Sequence, residues 1–245
     1  MRIAVLSDIH GNLAALDAVR ADIERRGADL IVDLGDLLSG PLQVAETADR
    51  LIALGWPTIA GNHERQVLND PPERMSESDR HAVAHLRADQ REWLRKLPAS
   101  LRLSDEVLMV HGTPRSDLEC FIETIDAAGI RAASAAEAAE RLGDTDARLI
   151  LCGHTHVPRS LRLDDGRLIV NPGSVGLQAY SGEHPHPHRV ENHSPHARYA
   201  IVERHDDGVW TAELLAVDYD WDAAAALALR NGRPDWARAL ATGRV

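Results

Sequence analysis

Short apolar runs alternate with helical spacing in the first part of the chain. Ile3-Ala4-Val5-Leu6 is compact and rich in β-branched residues, which predicts a strand. From Leu13 to Val19 the apolar positions recur at helical spacing, with Gly27 as a stop signal. Leu30 to Leu34 predicts a second strand, Val44 to Leu54 a second helix closed by Gly55, and Thr58 to Ala60 a third short strand. Strand–helix–strand alternation of this kind predicts an α/β fold with parallel strands joined by crossover helices.

The second half changes style. Leu101–Leu103 and Val107–Val110 flank Ser104-Asp105-Glu106 and predict a hairpin. Leu161–Leu163 with Leu168–Val170, and Tyr199–Glu203 with Val209–Leu215, are joined by Asp-Asp-Gly turns and predict two more. Leu149 to Cys152 is a further apolar run, and the Ala- and Glu-rich stretch from Ala132 to Arg141 predicts a helix. Trp221–Leu229 and Pro234–Leu240 predict two short covering helices near 221–241. Ser181 to His196 carries five histidines among three prolines and predicts an exposed loop, because proline is excluded from central strands and helix interiors. Neither a repeat nor a linker divides the chain, so residues 1–245 are expected to form a single domain.

Composition narrows the function classes. Hydrophobic residues are 44% and charged residues 27% of 245, ordinary for a globular protein and incompatible with bulk disorder. Lys plus Arg total 27 against 38 Asp plus Glu, a net charge of −11 that argues against stable nucleic-acid binding. A polyanionic substrate then needs a local positive centre, and a bound metal ion is the obvious candidate. Cys120 and Cys152 form neither a disulfide framework nor a zinc pattern, which suits a reducing compartment. The first apolar run is too short for a signal peptide core or a membrane span, so a cytoplasmic protein without membrane association is expected.

The chemistry collects where the apolar runs end. Asp8 and His10 follow the first run, Gly35-Asp36 the second, and Gly61-Asn62-His63-Glu64 the third. His111 follows Val107–Val110, and Gly153-His154-Thr155-His156 follows Leu149–Cys152. Ligands of open α/β sheets bind at the carboxyl ends of strands, so residues remote in sequence can share one rim. Carboxylate, imidazole and amide oxygen without thiolate suit Mn²⁺, Fe or Zn²⁺. Seven candidate ligands exceed what one transition ion takes, which implies two ions with a shared carboxylate. Taken singly, each block is more economically a turn, a cap or a hydrogen-bonded histidine; together and in this order they are not.

That order, Asp8-x-His10, Gly35-Asp36, Gly61-Asn62-His63-Glu64, His111, Gly153-His154-x-His156, resembles the calcineurin-like metallophosphoesterase superfamily. Asn171-Pro172-Gly173-Ser174 resembles its small bacterial phosphodiesterase branch. The resemblance implies a four-layer α-β-β-α sandwich of two facing mixed β-sheets flanked by helices. It implies Asp8, His10, Asp36 and His156 on a first metal, and Asp36, Asn62, His111 and His154 on a second, with Asp36 bridging. His63 would face the scissile phosphate without ligating. Two divalent ions are implied, with Mn first and Fe, Zn, Ni or Co as alternatives, activating a bridging water for in-line attack.

The Asp-Arg-Gly block of the superfamily's protein phosphatases does not follow Asp36; the chain reads Leu37-Leu38-Ser39-Gly40-Pro41. The arginine that grips phosphate and the acid that orients His63 are both missing there. A less charged phosphodiester or nucleotide is therefore the expected small substrate. Dinucleoside polyphosphate hydrolysis, phosphomonoester or protein phosphatase activity, and a non-catalytic scaffold of the same fold are the alternatives. Arg65 could replace the missing arginine, and Asn12 could touch substrate phosphate or merely cap the helix from Leu13. The His-rich tract could be a lid or metal-collecting segment, or a solvated loop. Members of the superfamily are often dimeric, so a homodimer stays open.

Overall fold

The computed structural model describes residues 1–245. Its first unit is β1 (Arg2–Leu6), α1 (Leu13–Arg26) and β2 (Leu30–Asp33), with the two strands parallel and Ile3 opposite Leu30. Asn12 starts α1 by accepting from the Ala15 amide, and Gly27 ends it at a φ of 79°. Helices α2 (Val44–Leu54), α3 (Asn62–Asn69), α4 (Glu77–His85) and α5 (Ala88–Arg95) follow. Next come β3 (Ser100–Arg102), β4 (Val107–Val110), the hairpin β5 (Glu123–Asp126) and β6 (Gly129–Ala132), and α6 (Ala135–Leu142). The chain continues through β7 (Leu149–Leu151), β8 (Arg159–Arg162), β9 (Leu168–Asn171), β10 (Ala179–Gly182) and β11 (His188–Glu191). It ends with β12 (Ala197–Arg204), β13 (Trp210–Val217), α7 (Trp221–Arg230) and α8 (Pro234–Thr242).

Two mixed sheets result, one in the order β13-β12-β1-β2 and the other β3-β4-β7-β9-β8. Strand periodicity shows how they stack, because successive side chains point to opposite faces. Ile3 and Val5 of β1 join Val107, Met109, Leu149, Leu151, Leu168 and Val170 in one buried cluster, which is the interface between the sheets. The alternate residues Ala4 and Leu6 instead join Leu16, Val19 and Ile23 of α1 and Ala48 and Leu51 of α2. On the second sheet Ile150 and Ile169 turn outward onto Ala138 and Leu142 of α6. The molecule is thus helix, sheet, sheet, helix, a four-layer α-β-β-α sandwich. Burying each such aliphatic side chain contributes about 1.5–3 kcal/mol. Strands hidden on both faces explain why β1 and β7 read as continuous apolar runs.

Three local expectations are corrected. Thr58–Ala60 is no strand: only a bridge pairs Asp33 with Thr58. The Ala60 amide turns away to the carbonyl of Pro98, which ends the pairing after one residue. The helix expected from Ala132 starts at Ala135, capped by Ser134, and Ala132 itself pairs with Glu123 in a hairpin. The His-rich tract is not all loop, since β10 and β11 pair antiparallel from Ala179–Glu191 to Gly182–His188. Pro185 and Pro187 lie in the turn between them, where no ladder amide is needed. No helix is long and apolar enough to cross a membrane.

Candidate metal centre

Asp8 and His10 lie just past β1, Asp36 past β2, His111 past β4, and His154 and His156 past β7, while Asn62 opens α3. Both sheets therefore feed one rim. There Asp8, His10 and His156 bring their ligand atoms within 4.8 Å of one another, and so do Asp36, His111 and His154. Asn62 joins the second group, its Oδ1 lying 3.1 Å from His111 Nε2.

Hydrogen bonds fix which imidazole nitrogen faces inward. The Nδ1–H groups of His10, His111 and His156 donate to the carbonyls of Ser39, Leu34 and Leu177 at 2.7, 2.7 and 2.8 Å. Each Nε2 is thereby left with a lone pair for a ligand. His154 is turned the other way, with Nε2 3.1 Å from the Leu118 carbonyl, which leaves Nδ1. Burial, reinforced by His156, lowers His10 to about 4, and burial with His111 lowers His154 to about 4, so both stay neutral near pH 7. His111 is raised to about 10 despite its burial, because Asp36 and Asp8 face it, so a cation at its Nε2 would displace a proton there. Asp8 Oδ1 is buried without a hydrogen-bond partner, 3.3 Å from His156 Nε2. His10 Nε2 and His156 Nε2 face each other at 3.1 Å. An orphaned carboxylate oxygen among converging imidazole nitrogens is what a divalent cation would satisfy, so these residues fit a metal pair.

The backbone is bent to reach this geometry. Six non-glycine residues have left-handed φ, and five are Asp8, His10, Asp36, His154 and His156, between 52° and 68°. Such conformations cost about 1–3 kcal/mol each and persist only where surroundings enforce them. Glu64 is one enforcer: wholly buried, it accepts from the amides of Asp36 (2.8 Å), Leu37 (2.9 Å) and Gly61 (2.8 Å), stapling two ligand loops together. Asn171 is another, donating to the Gly153 carbonyl and to Thr155 Oγ1, which in turn donates to Glu123 at 2.7 Å. Ser174 Oγ donates to the Asp8 carbonyl at 2.7 Å. Gly61 and Gly153 are required for space, because a Cβ at either would overlap the Asp36 or Ser7 and Asp8 side chains.

His63 lines the same cleft of about 220 Å³, which also holds His10, Asp36 and Asn62. Its Nδ1 lies 2.7 Å from Asp79 Oδ1, which also accepts from Ser39 Oγ at 2.7 Å. Burial disfavours the His63 charge, but Asp36 and the Asp79 hydrogen bond raise it to about 9. The acid absent after Asp36 in sequence is thus supplied by α4. Its visible trace was a capping box, Ser76-x-x-Asp79, which signals a helix start but not a reach to His63. Trp236 packs in the buried cluster with Ala228 and Leu240, and its ring also lies edge-on to His10, with centroids 5.9 Å apart. Tyr180, at the head of the His-rich tract, stands against His156 at 5.0 Å.

The two residues considered for substrate contact are engaged elsewhere. Asn12 is fully buried: its oxygen caps α1, and its Nδ2 donates to the carbonyl of Gly176 at 3.1 Å and to Tyr219 at 3.3 Å. Arg65 forms a two-pronged ion pair with Asp117 at 2.6 and 3.0 Å.

Known proteins resemble this chain in sequence and in fold. Residues 1–193 match the model of the calcineurin-like phosphoesterase superfamily domain. An uncharacterized protein of Methanocaldococcus jannaschii is 27% identical over 261 residues, covering 96% of this chain and 94% of the relative. The crystal structure of a metallophosphoesterase from Sphaerobacter thermophilus superposes with a TM-score of 0.77 at 28% identity, over 99% of this chain and 100% of that one. A hypothetical protein from Pyrococcus horikoshii shares the fold with a TM-score of 0.74 at 19% identity, over 99% and 98% of the two chains.

Proposed function

The chain belongs to the calcineurin-like phosphoesterase superfamily, and from that premise we propose that it is a dinuclear metal-dependent phosphodiesterase. The observation that carries this reading is the pair of ligand triads opening on one cleft beside a histidine held by a carboxylate. Asp8, His10 and His156 would hold one divalent cation, and Asp36, Asn62, His111 and His154 the other. When bound, the two cations supply Lewis-acid polarisation of phosphoryl oxygens and a water of lowered pKa. The Ser39, Leu34 and Leu177 carbonyls keep three imidazoles in the ligating tautomer.

His63 keeps one proton on Nδ1 toward Asp79 and presents Nε2 to the cleft. From there it protonates the ester oxygen as the phosphorus–oxygen bond breaks. A diester is favoured over a monoester or polyphosphate by charge. The nearby guanidiniums are already spent, Arg65 on Asp117 and Arg233 on Asp235 at 2.6 Å. A dianionic group would find no free arginine to hold it.

Metal-stripped protein reconstituted with Mn²⁺ and other divalent ions should hydrolyse bis(p-nitrophenyl) phosphate faster than p-nitrophenyl phosphate or a dinucleoside tetraphosphate. His63→Ala should lower turnover with metal content unchanged. Loss of metal in that variant, or the reverse substrate order, would overturn the assignment.

A further inference from the structure

Next to the metal cleft lies a larger cavity of about 800 Å³ that shares Ser76, His154, Tyr180 and Ser181 with it. We infer that this cavity seats an uncharged, largely apolar ester group, so that the substrate is a one-phosphorus diester carrying an aryl or alkyl alcohol. The inference rests on the hydrolytic reading above and narrows it to a substrate class.

Shape and charge both point this way. Leu118, Ile125, Tyr180 and Pro185 provide apolar wall, and although most of the lining residues are polar, the surface they turn to the cavity is mainly apolar, which suits an organic moiety of this size. Its one arginine, Arg141, is only 12% exposed. The guanidinium places three of its five N–H groups on the carbonyls of Phe121 (2.9 Å) and Glu123 (2.8 Å) and on Thr124 Oγ1 (2.7 Å), so most of its donors are turned into the protein. The carboxylates of Glu119, Glu123 and Glu183 line the same space. A second phosphate would be desolvated beside these acids with only one largely buried, mostly engaged guanidinium to offset them, whereas an uncharged ring or chain loses only water. Tyr180 links the two spaces, its ring against His156 at 5.0 Å and against His188 at 6.0 Å. An ester group entering past Tyr180 therefore leaves its phosphorus beside the ligand triads.

The test pairs binding with kinetics on metal-loaded protein. By calorimetry, diphenyl phosphate should bind about tenfold or more tighter than dimethyl phosphate, the scale set by filling an apolar pocket. Leu118→Glu, at a side chain 52% exposed that tolerates a polar group, should shrink that ratio several-fold. Ile125→Glu, a second site on the cavity wall, should do the same. In kinetics, phenyl p-nitrophenyl phosphate should show the lower KM when set against methyl p-nitrophenyl phosphate, which shares its leaving group. Equal affinities for the two phosphates, or a ratio untouched by both variants, would overturn the pocket while leaving the reaction standing. Failure to hydrolyse either ester would instead sink the reaction, with the calorimetric ratio still judging the pocket.

Discussion

Asp79→Asn isolates the pairing of His63 with α4. Asp79 touches no candidate ligand; its oxygens receive His63, Ser39 and Ser76. The substitution keeps the side-chain volume and one acceptor for the helix cap but removes the charge facing His63 Nδ1. A hydrogen bond to a charged group contributes about 1.5–3 kcal/mol. If that stabilisation is expressed in the transition state, kcat falls roughly 10- to 150-fold. KM should hold, because Asp79 meets no substrate, and bound metal should hold, because no ligand moves. Without the carboxylate His63 gives up its proton more readily, so the alkaline limb of the kcat profile should move to lower pH. Ser39→Ala, which removes one hydrogen bond to Asp79, should produce a smaller loss of the same kind. The assay is steady-state turnover of a phosphodiester with metal analysis of the same preparation. A kcat within about threefold of wild type, or a loss that tracks metal content, would refute the positioning role.

Other expectations concern the frame of the site. Glu123 is raised by its burial from 4.5 to about 7, against the pull of Thr155 and Arg159. The folded state therefore keeps a proton that the unfolded chain releases, and stability should fall by about 3 kcal/mol as pH rises from 4.5 to 7 and then level off. Denaturant titrations of wild type and Glu123→Gln across that range should diverge by this amount, and parallel curves would contradict it. Gly61→Ala should weaken metal binding about 10- to 100-fold without altering a ligand, because the new methyl group overlaps Asp36; calorimetric metal titration reads it. Metal at about 100 times its dissociation constant should raise the melting temperature by about 5–10 °C per ion, reversed by a chelator, and an unchanged melt would speak against the centre.

The legible part of the site was the part written next to strands. Asp8, Asp36, His111 and His154 each stand within a few residues of an apolar run hidden on both faces, so their common rim followed from strand ends alone. Asp79 was not legible in this way. It is 16 residues from His63, and the two meet because α3 and α4 pack together, a tertiary fact that a capping box does not announce. Glu64 both caps α3 and positions the ligand loops, its carboxylate spanning the amides of Gly61 and Asp36. The His-rich tract misled because proline was weighed over the whole segment. Pro185 and Pro187 exclude pairing only where they sit, and Ala179–Gly182 and His188–Glu191 remain free to form a hairpin.

The ligand set also explains a cost that the apolar cores must cover. Five residues hold left-handed backbone, two carboxylates lie wholly inside, and His10 faces His156 nitrogen to nitrogen at 3.1 Å. None of this favours folding of the chain alone, since Asp8 Oδ1 is buried without a donor and each strained residue costs about 1–3 kcal/mol. Glu64, Asn171 and Ser174 hold the loops in place by seven hydrogen bonds to backbone or Thr155, none of which uses a ligand side chain. The positions of the ligands are therefore set by residues that do not themselves ligate. Affinity then depends on those braces as much as on the ligands. Truncating Glu64 to alanine strips three buried amides of their acceptor at once, and it should loosen metal binding and fold stability together.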